Sequence, residues 1–297
     1  MLEGDRVIDL NAVEPELPAT LLPFVELGQP GIERAAHAVE RSRGSAVDGR
    51  RCYRAADVTL HAPWPGKRIA CAGGNYAAHS LGMAINRGVT DVTLESMTAQ
   101  IRKNGHRGFW KVLDAVAGPG DNVPYPSRAE YLDYEGEVAI VIGKRGKNIA
   151  ADEIDAYVWG VTLANDWSDR DMGGANFSLS YNVPKNFDLS ASLGPCIVVG
   201  EVDPQDVNIE TRVNGDLRQR YSSRDMVFSF AEILAYLSTD FTFVPGDVIL
   251  GGTGAGTAQD STKLNADGSR PHDRFLKAGD VVEISSPAIG NLTNRVV

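Results

Sequence analysis

The most suggestive run in the chain is Asp133-Tyr134-Glu135-Gly136-Glu137, which leads directly into the apolar segment VAIVIG. In extended backbone, residues two apart project from one face, so Asp133, Glu135 and Glu137 can converge if the strand reaches that far back. Carboxylates gathered on one face repel one another, and a divalent cation removes that penalty. All-oxygen ligation selects Mg²⁺, Mn²⁺ or Ca²⁺ over zinc. The same residues also fit an acidic edge ahead of a strand. A second run, Asn165-Asp166-Trp167-Ser168-Asp169-Arg170-Asp171, follows the apolar YVWGVTLA and so sits at a strand's carboxyl end, where sheets commonly present site residues. Asp166 can add a carboxylate, and Arg170 can orient it or meet a substrate anion. An Asx-type turn with a surface ion pair is the alternative.

Two further residue types belong to acid–base chemistry. His79 closes Cys71-Ala-Gly-Gly-Asn75-Tyr76-Ala-Ala-His79, a strand, a glycine turn and the start of a helix. One turn into that helix, a neutral imidazole can serve as general base, although a lone histidine is more often structural. Lys185, in Val183-Pro-Lys-Asn-Phe-Asp188, can stabilise a developing enolate, and most lysines are simply solvated. The cluster Gly251-Gly-Thr253-Gly-Ala-Gly256 invites a nucleotide reading that fails on context. A polar, turn-rich AQDSTKLNADGSRP follows it instead of a helix, and no Gly-Lys-Ser/Thr loop exists. Close backbone approach to a small ligand and an ordinary glycine turn both fit.

Positioning these groups falls to many short elements. Apolar runs bounded by turn residues occur at Ile69–Cys71, Val138–Ile142, Tyr157–Ala164, Cys196–Val199, Val207–Val213, Val248–Leu250 and Val281–Ile284. Ser229–Leu237 is the best helix among them, with Phe230, Ile233, Leu234 and Leu237 on one face. Ahead of HAPWPGKR (61–68), a short strand in GDRVIDL and helical spacing over 19–27 and 32–42 describe a compact αβ module. The expected division is therefore 1–64, a small module, and 65–297, the main domain.

The formal net charge of −10, from 29 Lys+Arg against 39 Asp+Glu, disfavours nucleic acid and anionic membrane surfaces. A small anionic substrate stays admissible, because a local cation inverts the potential inside a cleft. Cys52, Cys71 and Cys196 lack the CxxC spacing of a zinc knuckle and read as buried thiols of a reducing compartment. With no signal-peptide pattern and no long apolar window, a cytoplasmic location is expected.

Taken in order, CAGGNYAAH, DYEGEVAIVIG, GVTLANDWSDRD, PKNFD, LGP, VNG, PGDVILGGTGAG and LKAGDVVEIS resemble the fumarylacetoacetate hydrolase family, from about Val58 to the C-terminus. The GDRVIDLNA opening is similar to that family's small amino-terminal module. The resemblance implies an α+β, strand-rich, β-roll-like catalytic domain, a homodimer, and Mg²⁺ or Mn²⁺, with Ca²⁺ also admissible, on Glu135, Glu137 and Asp166. It implies catalytic roles for His79 and Lys185, and substrate contacts by Arg170 and Thr253, to which Tyr76 is added. Many members place an acid three residues after the histidine to form a water-activating couple, but here that position is Gly82. The long polar stretch from Leu81 to Arg107 reads as a lid, and Glu95 is the candidate for the missing acid. Asp169 replaces a common small residue, and Gly173 stands where some members carry glutamine.

The expected activity is metal-dependent hydrolysis of a carbon–carbon bond in an acylpyruvate-like 2-oxo acid, with His79 activating water and Lys185 stabilising negative charge. Without an effective couple, the same enolate-stabilising site suits a 2-oxo acid decarboxylase or isomerase, or a 2-oxo-3-deoxy sugar acid dehydratase. A metabolite-binding protein without catalysis is the third option.

Overall fold

A computed structural model describes residues 1–43, 47, 49–170 and 182–297. Strands β1 (Leu2–Glu3), β2 (Arg6–Ile8), helices α1 (Leu10–Val13), α2 (Leu21–Glu26) and α3 (Gln29–Ser42), and β3 (Cys52–Arg54) come first. There follow β4 (Ile69–Ala72), α4 (Ala77–Asn86), α5 (Leu94–Asn104), β5 (Gly108–Lys111), β6 (Asn122–Val123), β7 (Leu132–Asp133), β8 (Gly136–Ile142), β9 (Val158–Asp166) and β10 (Ser168–Asp169). The remainder is β11 (Ala191–Val198), β12 (Asn208–Val213), β13 (Asp216–Ser222), α6 (Phe230–Leu237), β14 (Val248–Thr253), α7 (Ala258–Ser261), β15 (Val281–Ser286) and β16 (Gly290–Val296).

The architecture is α+β and strand-rich. A six-stranded mixed sheet, ordered β11-β9-β8-β14-β4-β5, packs against a five-stranded one, ordered β13-β12-β15-β16-β6. Among the described residues, β14 with β4 and β16 with β6 run parallel, and the other strand pairs of these sheets are antiparallel. The inner core joins Val138, Ile140, Ile142, Val161 and Leu163 of the first sheet to Ile209, Val213, Val282, Ile284 and Leu292 of the second. On the opposite face, Ala139, Val141, Ile69 and Leu250 pack with Val25, Phe24 and Leu21 of α2. Covering both faces explains why every residue of β8 is buried and why its sequence reads as an uninterrupted apolar run. The amino-terminal strands form a separate three-stranded sheet with a small cluster of Ile8, Val39 and Cys52. No described helix is long and apolar enough to cross a membrane.

Two details position the site. A Cβ at Gly136 would lie 2.2 Å from Thr211 Oγ1, so glycine between the two glutamates lets the start of β8 seat against β12. The large sheet also curls until the chain beyond β5 meets the start of β11. There Ala117 N donates to Ala191 O at 2.9 Å, and Lys111 Nζ donates to Ser190 O at 2.9 Å.

Candidate active site

One end of the curled sheet collects the polar groups. Glu137 is the second residue of β8, opposite Ala164 of β9 and Thr253 of β14, while Asp166 closes β9 opposite Ala191. His79 enters from the first turn of α4, just beyond the end of β4, and Lys185 from a short 3₁₀ turn, Val183–Lys185, ahead of β11. These side chains, with Glu135, Arg170 and Thr253, line a cavity of about 820 Å³.

Glu135, Glu137 and Asp166 are all buried, with candidate ligand oxygens within 4.8 Å of one another. Glu135 is fixed through its backbone, whose N–H donates to Asn165 Oδ1 at 2.9 Å. Its carboxylate meets Arg170 Nη2 and Lys185 Nζ. Lys185 Nζ also lies 2.8 Å from Asp166 Oδ2 and 2.6 Å from Ser168 Oγ. Burial works to raise the Glu135 pKa, but Arg170 and then Lys185 outweigh it and hold the carboxyl well below the usual range. Glu137 is the reverse case. Burial, reinforced by Asp166 and Glu135, pushes its pKa well up, against the opposing pull of Lys185 and of the Gly252 N–H, 2.7 Å away. No cationic side chain pairs with Glu137 among the described residues, and Asp166 Oδ1 has no aligned hydrogen bond despite Lys111 Nζ at 2.8 Å. An all-oxygen cluster with one unmatched carboxyl and one under-satisfied oxygen fits a hard divalent cation.

Asp133 does not join the other two acids. The extended run breaks between β7 and β8, so Asp133 turns away to pair with Arg170 Nε at 3.1 Å. It also accepts from Ala258 N and Gln259 N, at 2.8 and 3.0 Å, capping α7. The glycine cluster is thus followed by one turn of helix, where the sequence suggested none. Arg170 in turn ties Asp133 to Glu135.

His79 finds its partner elsewhere than expected. Its Nδ1 lies 2.6 Å from Asp260 Oδ2, both groups being buried. Asp260 is held by Gly256 N at 3.0 Å and Ser261 Oγ at 2.8 Å. A carboxylate at Nδ1 keeps the proton there and leaves the Nε2 lone pair to accept another. Glu95, the expected partner, is exposed in the first turn of α5, and Asp260 takes its place. The reason is steric as well as chemical. A Cβ at Gly82 would come within 2.9 Å of Asp260 O and 3.1 Å of Asp260 Cβ, so the residue that lacks an acid also makes room for one.

Tyr76, expected to touch substrate, is buried beside the cavity instead, edge-on to Tyr221 with ring centroids 4.9 Å apart. Thr253 does face the cavity, but its hydroxyl donates to Gly136 O at 2.9 Å and accepts from Gln219 Nε2 at 2.8 Å. Asp169 is buried, with Arg128 Nε 3.7 Å from its carboxylate. Asp171 and Gly173 lie outside the described residues. Sequence reasoning missed Asp260 and Lys111. Thr257-x-x-Asp260 is a capping pattern that could have marked the first. Nothing local marks Lys111, a fully buried lysine at the end of an edge strand.

Residues 68–297 match the family model described as Fumarylacetoacetate (FAA) hydrolase C-terminal. The chain belongs to the fumarylacetoacetate hydrolase family. It is 33% identical over 298 residues to the mitochondrial oxaloacetate tautomerase fahd2 of Xenopus laevis, covering 99% of this chain and 84% of that protein. It is 29% identical over 307 residues to oxaloacetate tautomerase YisK of Bacillus subtilis, covering 100% and 94%. Among solved structures, the fumarylacetoacetate hydrolase from Exiguobacterium antarcticum aligns with a TM-score of 0.71 and 29% identity, covering 99% of this chain and 92% of that one. Within this family, the strand-rich fold with its mixed sheets is the expected one.

Proposed function

We propose that the protein interconverts the keto and enol forms of a small 2-oxo acid of the oxaloacetate type, at a site where Glu135, Glu137 and Asp166 hold Mg²⁺ or Mn²⁺. The observation that carries this reading is the His79–Asp260 couple opening on the same cavity as the acidic triad. When bound, the cation would draw electron density from the 2-oxo group and stabilise the enolate. His79 Nε2 takes the proton from the carbon next to that group and returns one to it or to the enol oxygen. Asp260 holds the imidazole in the required tautomer and balances the positive charge it acquires. Lys185 and Arg170 fix the carboxylates and place positive charge where the enolate oxygen develops. Two relatives named as oxaloacetate tautomerases support this isomerase chemistry over the hydrolysis expected from the sequence.

Hydrolysis keeps one specific observation in its favour: the acid missing at Gly82 is replaced by Asp260 beside His79, a couple suited to activating water. A single assay separates the two. Enol-oxaloacetate, followed by its ultraviolet decay, is expected to ketonise faster with enzyme and Mg²⁺, chelator abolishing the effect, while an acylpyruvate is left intact. Cleavage of the acylpyruvate without acceleration of ketonisation would overturn the proposal. The homodimer and the division into 1–64 and 65–297 belong to the same proposal, the second supported by the separate sheet β1-β2-β3.

A further inference from the structure

Away from the acidic triad, the cavity wall carries three arginines, Arg87, Arg107 and Arg270, that pair with no acid among the described residues, and two of them share a recess. Arg87, exposed at the end of α4, and half-buried Arg270 line the main cavity together with Met83 and Gln259. The same four residues also line a small side pocket of about 20 Å³, so Arg87 and Arg270 border one recess, which Arg107 does not. Arg270 is held there by its surroundings. Its guanidinium carbon lies 5.4 Å from the Tyr131 ring centroid and 5.7 Å from that of Phe275, and Nη1 donates to Arg170 O at 3.4 Å. Neither Arg87 nor Arg270 meets a carboxylate among the described residues. Arg170 and Arg102, which line or flank the same cavity, are both paired, with Asp133 and Glu135 and with Glu232 respectively.

Two cations sharing a recess repel each other, and in a chain with 39 acids against 29 bases a neighbouring carboxylate could readily have matched them. A planar guanidinium with free N–H groups, already fixed by ring stacking, is suited to receive a carboxylate in bidentate fashion. We propose that Arg87 and Arg270, with the Gln259 amide beside them, form a subsite for a second carboxylate on the substrate, remote from the end that meets the acidic triad. The subsite selects dicarboxylic 2-oxo acids over monocarboxylic ones. This rests on the 2-oxo acid reading of the site, and it names the residues that read the far end of the molecule.

The test is calorimetric titration of the full chain with Mg²⁺ present, using pairs matched in carbon number: oxaloacetate against 2-oxobutanoate, and 2-oxoglutarate against 2-oxopentanoate. The parent is expected to bind at least one dicarboxylate about tenfold or more tightly than its monocarboxylic counterpart. Arg270→Gln and Arg87→Gln are expected to bring that ratio toward one, with Arg270→Lys keeping part of it. A purely structural role would weaken both members of a pair alike and leave the ratio intact. A parent ratio near one, an unchanged ratio in both glutamine variants, or a ratio that collapses in Arg107→Gln instead would overturn the subsite. Absence of ketonisation with the ratio preserved would refute the tautomerase reaction and leave the subsite standing.

Discussion

Gly82→Ala tests whether the space beside α4 governs the histidine couple. Two opposing effects can be weighed. Alanine inside a helix is favoured over glycine by about 1 kcal/mol. The new methyl would lie 2.9 Å from Asp260 O, closer than packed atoms tolerate, and a tight 3.1 Å from Asp260 Cβ, and overpacking of this kind costs about 1–3 kcal/mol. Net destabilisation is therefore modest, about 0–2 kcal/mol. The effect on turnover should be larger in proportion. Relief of the clash moves Asp260 away from His79, whose Nδ1 contact is only 2.6 Å, and general-base assistance contributes about 10²–10⁴ in rate. We expect kcat for ketonisation to fall about tenfold or more, with substrate affinity little changed. Steady-state kinetics at saturating Mg²⁺, paired with thermal melts, make the measurement. In an Asp260→Asn background the same substitution should cost no further activity, because the couple is already broken. Turnover of Gly82→Ala within about twofold of the parent, or full additivity with Asp260→Asn, would refute the reasoning.

Two further outcomes follow from the charges. Mg²⁺ at about a hundredfold excess over its dissociation constant should stabilise the parent by about 2.7 kcal/mol, and Glu137→Gln should lose most of that gain in a melt with and without chelator. His106, tilted against Phe228 at 4.0 Å and stacked on Tyr236 at 4.5 Å, has its pKa lowered chiefly by burial, with Arg102 adding to the effect and Glu232 opposing it. The unfolded chain then takes up this proton first, so the stabilising contribution is complete above the ordinary histidine pKa of about 6.5 and is lost as pH falls through the folded value. The melting temperature of the parent relative to His106→Gln should therefore drop on acidification below about pH 6.5, and a pH-independent difference would contradict it.

How much of this was legible depended on whether the signal was local. The strands at 136–142, 158–166 and 248–253 showed as apolar runs because both faces of their sheet are covered. By contrast β13, DLRQRYS, is an edge strand with charged side chains and offered no such run. The polar stretch read as a lid contains α5, whose Thr93–Ser96 capping box went unnoticed and whose Met97 and Ile101 alone pack against the core. Glu135 and Glu137 were visible through two-residue spacing, and Asp166 through its place at a strand end. Asp133 misled, because the backbone leaves the extended form before the spacing rule can apply. Asp260 lay beyond local reasoning, since it meets His79 across 181 residues of sequence.

The location of Asp260 has a consequence for how the protein can change. The acid that meets the imidazole sits on the body of the molecule, after β14, and not on the segment between α4 and β5. Under the proposed function, that segment is released from carrying part of the proton-transfer apparatus. Its length and composition can drift, or be exchanged in chimeras, altering which molecules gain entry while the chemistry beneath stays assembled.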